Sequence, residues 1–189
     1  GVITLCRSNQ ETPTVYYLGP SGTYSEQAAY RYFGSMIHGE PKNTIREVIE
    51  AAAHGGYGVV PYENSLAGSV KDTYSTLGNC PMSVVDIIAL PIEQCLLTRE
   101  SSLADIEIVY SHEVSLMQCH RWLKAHLPHA EQMAVSSNAE AMRMASGEAH
   151  SAAIGGAHGA VQYQLRILRE GIQDTAQNIT KFLIVCAKG

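Results

Sequence analysis

Short β-type runs alternate with helical patterns along most of this 189-residue chain, and this alternation limits the fold more than any other feature. Residues 15–18 form an apolar run that ends at Gly19-Pro20, and a helical pattern follows over residues 23–32. Residues 58–60 read as a buried strand closed by Pro61. Strands that alternate with helices predict βαβ units and a mostly parallel sheet. We therefore expect an α/β fold.

Local start and stop signals place further elements. Thr23 and Glu26 form a capping-box pattern, as do Ser137 and Glu140, and Gly34 is a typical helix stop. The other predicted helices cover residues 44–53, 68–77, 114–125 and 137–147. The other predicted strands cover residues 84–90, 93–98, 107–110, 134–135, 151–154 and 180–187.

Composition excludes several functional classes. The chain has 13 Lys and Arg against 18 Asp and Glu, and a net charge of −5 argues against a nucleic-acid partner. No run approaches the ~18 apolar residues of a membrane span, and the first residues lack the apolar core of a signal peptide. Five cysteines without a CxxC pair favour reduced thiols. We therefore expect a cytoplasmic protein without a membrane partner.

The sequence offers no pattern for a metal or a cofactor. Among eight histidines only His126 and His129 lie close together, and Pro128 breaks the helix that would align them. Glycine-rich phosphate and dinucleotide motifs are absent, as is the nucleophile elbow of hydrolases. We expect no metal and no cofactor.

Small polar clusters follow several predicted strands. They occupy residues 19–23, 63–65, 111–112, 136–138 and 155–156. Ligands of open α/β sheets bind beyond the carboxyl ends of strands, where helix N–H groups favour anions. The same residue types also cap helices without any ligand. Together the clusters indicate a site for a small anionic molecule, with capping as the alternative for each one.

Four ordered segments resemble the signatures of the prephenate dehydratase family. They are Tyr-Leu-Gly-Pro-Ser-Gly-Thr-Tyr-Ser at 17–25, Gly-Val-Val-Pro-Tyr-Glu-Asn-Ser at 58–65, Tyr-Ser-His at 110–112 with Gln118, and Asn-Ile-Thr-Lys-Phe at 178–182. The resemblance implies two α/β lobes of the periplasmic-binding-protein type with a ligand cleft between them. It places residues 14–90 and 175–189 in the first lobe, residues 91–174 in the second, and residues 1–13 in an N-terminal extension.

The resemblance also implies an activity and a set of site residues. Members of the family convert prephenate, or arogenate, with loss of carbon dioxide and water, in phenylalanine biosynthesis. The implied catalytic residues are Thr180, Asn64, Ser111, Gln118 and Glu63. The implied substrate-binding residues are Ser21, Gly22, Thr23, Ser25, Ser65, Ser136, Ser137, Asn178 and Phe182. We further expect a homodimer.

The implied reaction suits hydroxyls and amides, because formation of an aromatic ring drives it and the protein need only hold the dianion and assist the leaving hydroxyl. Thr180 is the candidate hydrogen-bond donor to that hydroxyl. Glu63 is a candidate proton source if burial raises its pKa. Lys181 alternates with Thr180 along the strand, so we expect it to face away from the ligand.

Three departures from the family pattern leave alternatives open. Lys181 stands where the family has arginine, and Glu113-Val114 follows the central motif where many relatives have Pro-Gln. No regulatory domain follows the last motif before Gly189, so we expect no feedback by phenylalanine through such a domain. A prephenate decarboxylase that keeps the ring hydroxyl, and a non-catalytic module that binds a small carboxylate, are the competing hypotheses.

Overall fold

The computed structural model describes residues 11–21, 23–175 and 177–189, and these residues form two compact units. Unit 1 contains the described part of Gly1–Pro91 together with Ile179–Gly189, and unit 2 is Ile92–Asn178. Most of the predicted extension 1–13, and the predicted site residue Gly22, lie outside the described residues. None of the described helices has the length and apolar character needed to cross a membrane.

The return to unit 1 comes later in the chain than residue 174, where the sequence placed it. The Ile172 N–H donates to the Gln94 carbonyl at 2.9 Å, and the Ile92 N–H donates to the Asn178 carbonyl at 2.7 Å. These hydrogen bonds join the returning segment to unit 2 as far as Asn178.

Unit 1 is built on one mixed sheet with the strand order β2-β1-β3-β11-β5 and with β4 beside β3. Its strands are β1 (Thr14–Leu18), β2 (His38–Lys42), β3 (Tyr57–Asn64), β4 (Gly68–Ser69), β5 (Ser83–Pro91) and β11 (Ile179–Cys186). Strand β1 runs parallel to β2 and β3. Strand β11 is antiparallel to both β3 and β5, so the last strand of the chain lies next to the strand that carries Asn64.

Three helices accompany this sheet: α1 (Tyr24–Phe33), α2 (Ile45–Ala53) and α3 (Lys71–Asn79). The Thr23 hydroxyl accepts the Glu26 N–H of α1, as the capping pattern predicts, and the Thr44 hydroxyl accepts the Glu47 N–H of α2. Gly34 ends α1 with a φ of 82°, a conformation that favours glycine. The apolar face of α2 packs on the sheet against residues that include Val60.

Unit 2 is built on a second mixed sheet with the order β10-β6-β9-β7-β8. Its strands are β6 (Cys95–Thr98), β7 (Ile108–His112), β8 (Glu131–Val135), β9 (Ser151–Gly155) and β10 (Arg166–Arg169). Its helices are α4 (Glu113–Gln118), α5 (His120–His126), α6 (Asn138–Gly147) and α7 (His158–Gln162), with a 3₁₀ turn at Leu103–Asp105. Strand β7 runs parallel to β8 and β9, whereas β6 is antiparallel to β9 and β10.

Four details correct the sequence prediction. The sheets are mixed rather than mostly parallel, because β11, β5, β6 and β10 join as antiparallel strands. Strand β3 continues through Pro61 to Asn64, since a register shift in β11 lies next to the proline, which has no N–H to donate. The predicted helix over 68–77 begins only at Lys71, after the short strand β4. The predicted helix over 114–125 is two helices that meet at Cys119.

Candidate functional site

In unit 1 the pairing of β3 with β11 brings two of the predicted catalytic residues together. Asn64 lies opposite Thr180, and Glu63 lies opposite Lys181. Because neighbouring residues of a strand point to opposite faces of the sheet, the Asn64–Thr180 pair and the Glu63–Lys181 pair occupy opposite faces. The structure thus agrees with the expectation that Lys181 faces away from Thr180.

The Asn64 amide has its orientation fixed by the backbone. Its Oδ1 atom accepts hydrogen bonds from the N–H groups of Leu66 and Ala67, both at 2.9 Å. Since backbone N–H groups can only donate, the atom facing them must be the oxygen. The Nδ2 atom therefore faces Thr180 and donates to its Oγ1 at 2.9 Å. The Thr180 oxygen accepts this bond, so its own hydroxyl proton remains available for donation to a ligand.

Glu63 does not meet the condition that its role as a proton source required. Its carboxylate lies 3.9 Å from Lys181 Nζ, and both side chains are 48% exposed. The burial on which its role as a proton source depends is therefore not present, and the role itself stays a prediction.

Ser65 stabilises the turn that follows Asn64. Its Oγ accepts the Ile179 N–H at 2.9 Å, and its own N–H donates to the Ile179 carbonyl at 2.9 Å. These two bonds tie the turn after β3 to the first residue of β11. They hold Thr180 and Asn64 at hydrogen-bonding distance across the two strands.

The loop between β1 and α1 is held by a buried chain of hydrogen bonds. The Tyr17 hydroxyl donates to the Glu26 carboxyl at 2.6 Å, and both side chains are buried. Burial, together with the Glu26 contact, raises the pKa of Tyr17 well above its ordinary value, whereas a hydrogen bond with Ser21 opposes this rise. The Thr23 hydroxyl donates to the Leu18 carbonyl and caps α1, and Ser25 is buried. These side chains are thus engaged with the loop itself.

In unit 2 the predicted residue Ser111 is fully buried, with 0% of its surface exposed. Its hydroxyl donates to the His112 carbonyl at 2.8 Å and lies 3.3 Å from Asn138 Oδ1. Both neighbouring atoms are acceptors, so the hydroxyl proton is used within the protein. Ser111 therefore stabilises the corner between β7 and α4.

Three polar residues that the family resemblance did not imply complete the unit 2 cluster. Asn138 Oδ1 accepts the His112 N–H at 2.9 Å, and its Nδ2 donates to Ser115 Oγ at 2.8 Å. Gln94 Nε2 donates to the same Ser115 oxygen at 3.3 Å. The only available signal in the sequence was the polar cluster 136–138, because buried glutamine and serine look like surface residues in a sequence.

Gln118 is the last residue of α4 and belongs to this cluster. Its Oε1 accepts from Gln94 Nε2 at 2.9 Å, and its carbonyl accepts the Asp174 N–H at 2.7 Å. The Asp174 carboxylate in turn accepts the N–H groups of Arg121 and Trp122 in α5. With its oxygen engaged, Gln118 has its Nε2 group available to donate to a ligand.

The other predicted binding residues differ in their burial and contacts. Ser137 caps α6 through the Glu140 N–H at 3.0 Å, whereas Ser136 is exposed. Asn178 is buried at the end of unit 2, and Phe182 is 2% exposed within unit 1. The burial of Phe182 assigns it to the core of unit 1.

Within the described residues, no group of three or more His, Cys, Asp or Glu side chains could hold a metal ion. His126 Nδ1 contacts the Trp122 carbonyl, and His129 Nε2 contacts the Ile106 carbonyl. Both histidines thus have backbone partners within unit 2.

Comparison with known families gives an extended match. The family model described as prephenate dehydratase matches residues 15–189. A curated bifunctional chorismate mutase/prephenate dehydratase from Pseudomonas aeruginosa is 39% identical over 187 residues, which are 97% of this chain and 51% of that protein. The chain thus spans about half the length of this relative.

Two solved structures are similar along most of the chain. The prephenate dehydratase from Staphylococcus aureus subsp. aureus Mu50 has a TM-score of 0.80 and 29% identity, and the match covers 93% of this chain and 67% of that one. A protein described as a novel type of quorum quenching acylase, GqqA, has a TM-score of 0.83 and 25% identity, and the match covers 93% of this chain and 64% of that one.

Proposed function

Since the chain belongs to the prephenate dehydratase family, we propose that it converts prephenate into phenylpyruvate, as a carbon–oxygen lyase of phenylalanine biosynthesis. The observation that carries this proposal is the fixed hydrogen bond from Asn64 to Thr180, because it leaves one hydroxyl proton available at a position within the family match. Arogenate, which differs from prephenate in its side chain, is the related substrate.

The reaction needs a donor at the leaving oxygen. The ring carboxylate departs as carbon dioxide, and the electron pair of its C–C bond enters the ring. The C–O bond to the ring hydroxyl then breaks, and a proton joins the departing oxygen to give water. Prephenate dianion and one proton thus give phenylpyruvate anion, carbon dioxide and water.

Thr180 is the donor that we assign to the leaving oxygen. Negative charge develops on that oxygen as the C–O bond breaks, and a donor already oriented before the reaction stabilises this charge without reorganising. Asn64 supplies the orientation, because its Nδ2 group occupies a lone pair of the Thr180 oxygen. A threonine hydroxyl is a weak acid, so the proton itself reaches the departing oxygen from water.

Gln118 supplies an amide donor for the anionic part of the substrate. Its Oε1 atom is engaged by Gln94, so Nε2 is the group that remains for a carboxylate or the pyruvyl carbonyl. Ser111, which is fully buried, acts in this proposal through the corner it stabilises.

The geometry supports a lyase better than an acylase of the kind named for GqqA. A serine or threonine nucleophile needs a neighbouring base that takes its proton. The Ser111 proton goes to a backbone carbonyl, and the Thr180 oxygen accepts a bond from an amide. Neither arrangement produces an activated nucleophile.

Incubation of the purified protein with prephenate, followed by identification of the products, tests the proposal. We expect phenylpyruvate and one equivalent of carbon dioxide. Carbon dioxide with a retained cyclohexadienol would instead indicate a non-aromatising decarboxylase. Unchanged prephenate that still raises the thermal midpoint would indicate a binding module. We also propose a cytoplasmic location, which cell fractionation would test. We propose a homodimer as well, which sedimentation equilibrium would test.

A further inference from the structure

We propose that Gln94 is a positioning residue that holds the Gln118 side chain with its Nε2 group, rather than its Oε1 atom, presented to the substrate. This inference rests on the proposed function, since it assigns a cause to the donor character of Gln118. Gln94 itself is placed in no direct contact with the substrate.

The backbone of Gln94 is hydrogen-bonded to Ile172 and Gln173, which lie in the segment before the chain returns to unit 1. Its N–H donates to Gln173 Oε1 at 2.9 Å, and its carbonyl accepts the Ile172 N–H at 2.9 Å. The residue is only 2% exposed. A buried amide with both backbone groups bonded has little freedom to move, so its side chain is a fixed reference for its neighbours.

The Gln94 side chain donates to two residues of one helix face. Its Nε2 atom lies 2.9 Å from Gln118 Oε1 and 3.3 Å from Ser115 Oγ. Residues three apart in a helix are neighbours on the same face, so a single amide group can reach both. Gln118 must accept this bond through its oxygen, and its Nε2 group therefore points away from Gln94.

Asn138 also donates a hydrogen bond to Ser115, in an orientation that the backbone fixes. Its Oδ1 atom accepts from the backbone N–H of His112, which can only donate. Its Nδ2 atom therefore donates to Ser115 Oγ, the same oxygen that accepts from Gln94. The described contacts use the Ser115 oxygen as an acceptor for both amides. The amides of Asn138 and Gln94 thus both donate toward α4.

If the direction of the Gln94–Gln118 hydrogen bond were reversed, Gln118 would face the substrate with an acceptor instead of a donor. A Gln118 side chain turned about its last bond would present a carbonyl oxygen to a carboxylate, and two acceptors repel. Loss of a hydrogen bond to a charged group lowers the binding constant or the rate constant by roughly 10- to 100-fold.

The substitution Gln94→Glu reverses the polarity with almost no change in shape, because a carboxylate can only accept. We expect kcat/KM for prephenate to fall roughly 10- to 100-fold, mostly through a raised KM. Gln94→Met removes the bond without reversing it and should lose less. Gln162→Glu adds the same charge at an exposed position of α7 and serves as the matched control. It should stay close to wild type.

A double-mutant cycle separates positioning from a general structural effect. In a Gln118→Ala background there is no side-chain amide to turn, so Gln94→Glu should cost about twofold or less. An equal cost in both backgrounds would overturn the inference, as would equal losses for Gln94→Glu and Gln94→Met. If Gln94→Glu does not fold, the cycle with Gln94→Met is judged by the same criterion. Failure of the wild-type protein to release phenylpyruvate would count against the proposed function, and the cycle is then measured on prephenate binding.

Discussion

Asn64 donates a hydrogen bond from Nδ2 to Thr180 Oγ1 over 2.9 Å, and the N–H groups of Leu66 and Ala67 hold the amide in that orientation. The two residues are 116 positions apart in the chain and meet through the pairing of β3 with β11. The turn after β3 therefore determines which hydrogen-bonding group Thr180 offers to a ligand.

Asn64→Asp tests this relationship directly. The aspartate still accepts from Leu66 and Ala67, so the turn should keep its shape. Its second oxygen cannot donate, however, and will take the Thr180 proton instead. We expect kcat to fall about 10²-fold, the size seen when one preorganised donor is lost, with the thermal midpoint little changed. Wild-type kcat in a folded Asn64→Asp protein would contradict the proposed polarity.

The Glu63–Lys181 pair should matter little. Both side chains are half exposed, and exposed ion pairs contribute about 0–1 kcal/mol to stability. We expect Lys181→Arg and Glu63→Gln each to keep kcat close to wild type in steady-state assays. An inactive Glu63→Gln protein would restore the glutamate as the acid, and an inactive Lys181→Arg protein would make the lysine part of the chemistry.

Tyr17 should make the stability of unit 1 sensitive to alkaline pH. Burial and the Glu26 contact raise its pKa above the ordinary value of 10.0, so the folded protein holds the phenol proton more tightly than the unfolded chain. The resulting contribution of Tyr17 to the free energy of unfolding is fully present below about pH 10 and is lost as the pH rises further. The free energy of unfolding, measured with denaturant, should fall less steeply above that pH in Tyr17→Phe.

At neutral pH the same variant should lose about 1–3 kcal/mol, because the buried Glu26 carboxyl loses its Tyr17 hydrogen bond. Parallel alkaline slopes for the two proteins would show that another group causes the pH dependence.

Two glycine-to-alanine substitutions should change the stability of the protein in opposite directions. A Cβ atom at Gly159 would overlap Met142 Sδ, whereas one at Gly78 would meet nothing within 4 Å. We expect Gly159→Ala to destabilise the protein by about 1–3 kcal/mol through overpacking. Gly78→Ala in α3 should stabilise it by about 0.4–1 kcal/mol, because alanine restricts the unfolded chain. Thermal unfolding of the pair checks both, and a stabilised Gly159→Ala protein would mean that Met142 moves aside without cost.

Local signals in the sequence predicted the elements whose causes are local. Thr23 and Ser137 cap helices where the capping-box patterns place them, because a hydroxyl and an N–H three residues later meet without help from the rest of the fold. Strand β2, with the sequence His-Gly-Glu-Pro-Lys, has no apolar alternation and was missed. Its pairing with β1 comes from the tertiary structure.

The chemistry of the two clusters could be predicted only in part. The family resemblance named Asn64, Thr180 and Gln118, but no sequence pattern states which atom of an amide faces which partner. The sequence does not indicate Gln94, and it indicates Asn138 only as part of the polar cluster 136–138, because their roles depend on contacts with residues more than 20 positions away. The exposure of Glu63 beside Lys181 could not be predicted either, since it depends on the pairing of β3 with β11.

Single-turnover kinetics of prephenate with wild type, Thr180→Ala and Thr180→Ser test the central claim most directly. If the Thr180 hydroxyl stabilises the leaving oxygen in the transition state, Thr180→Ala should lower the rate of phenylpyruvate formation about 10²-fold or more. Thr180→Ser, which keeps the hydroxyl, should retain much of the rate. An unchanged rate in Thr180→Ala, with only weaker prephenate binding, would contradict the account and reduce Thr180 to a binding residue.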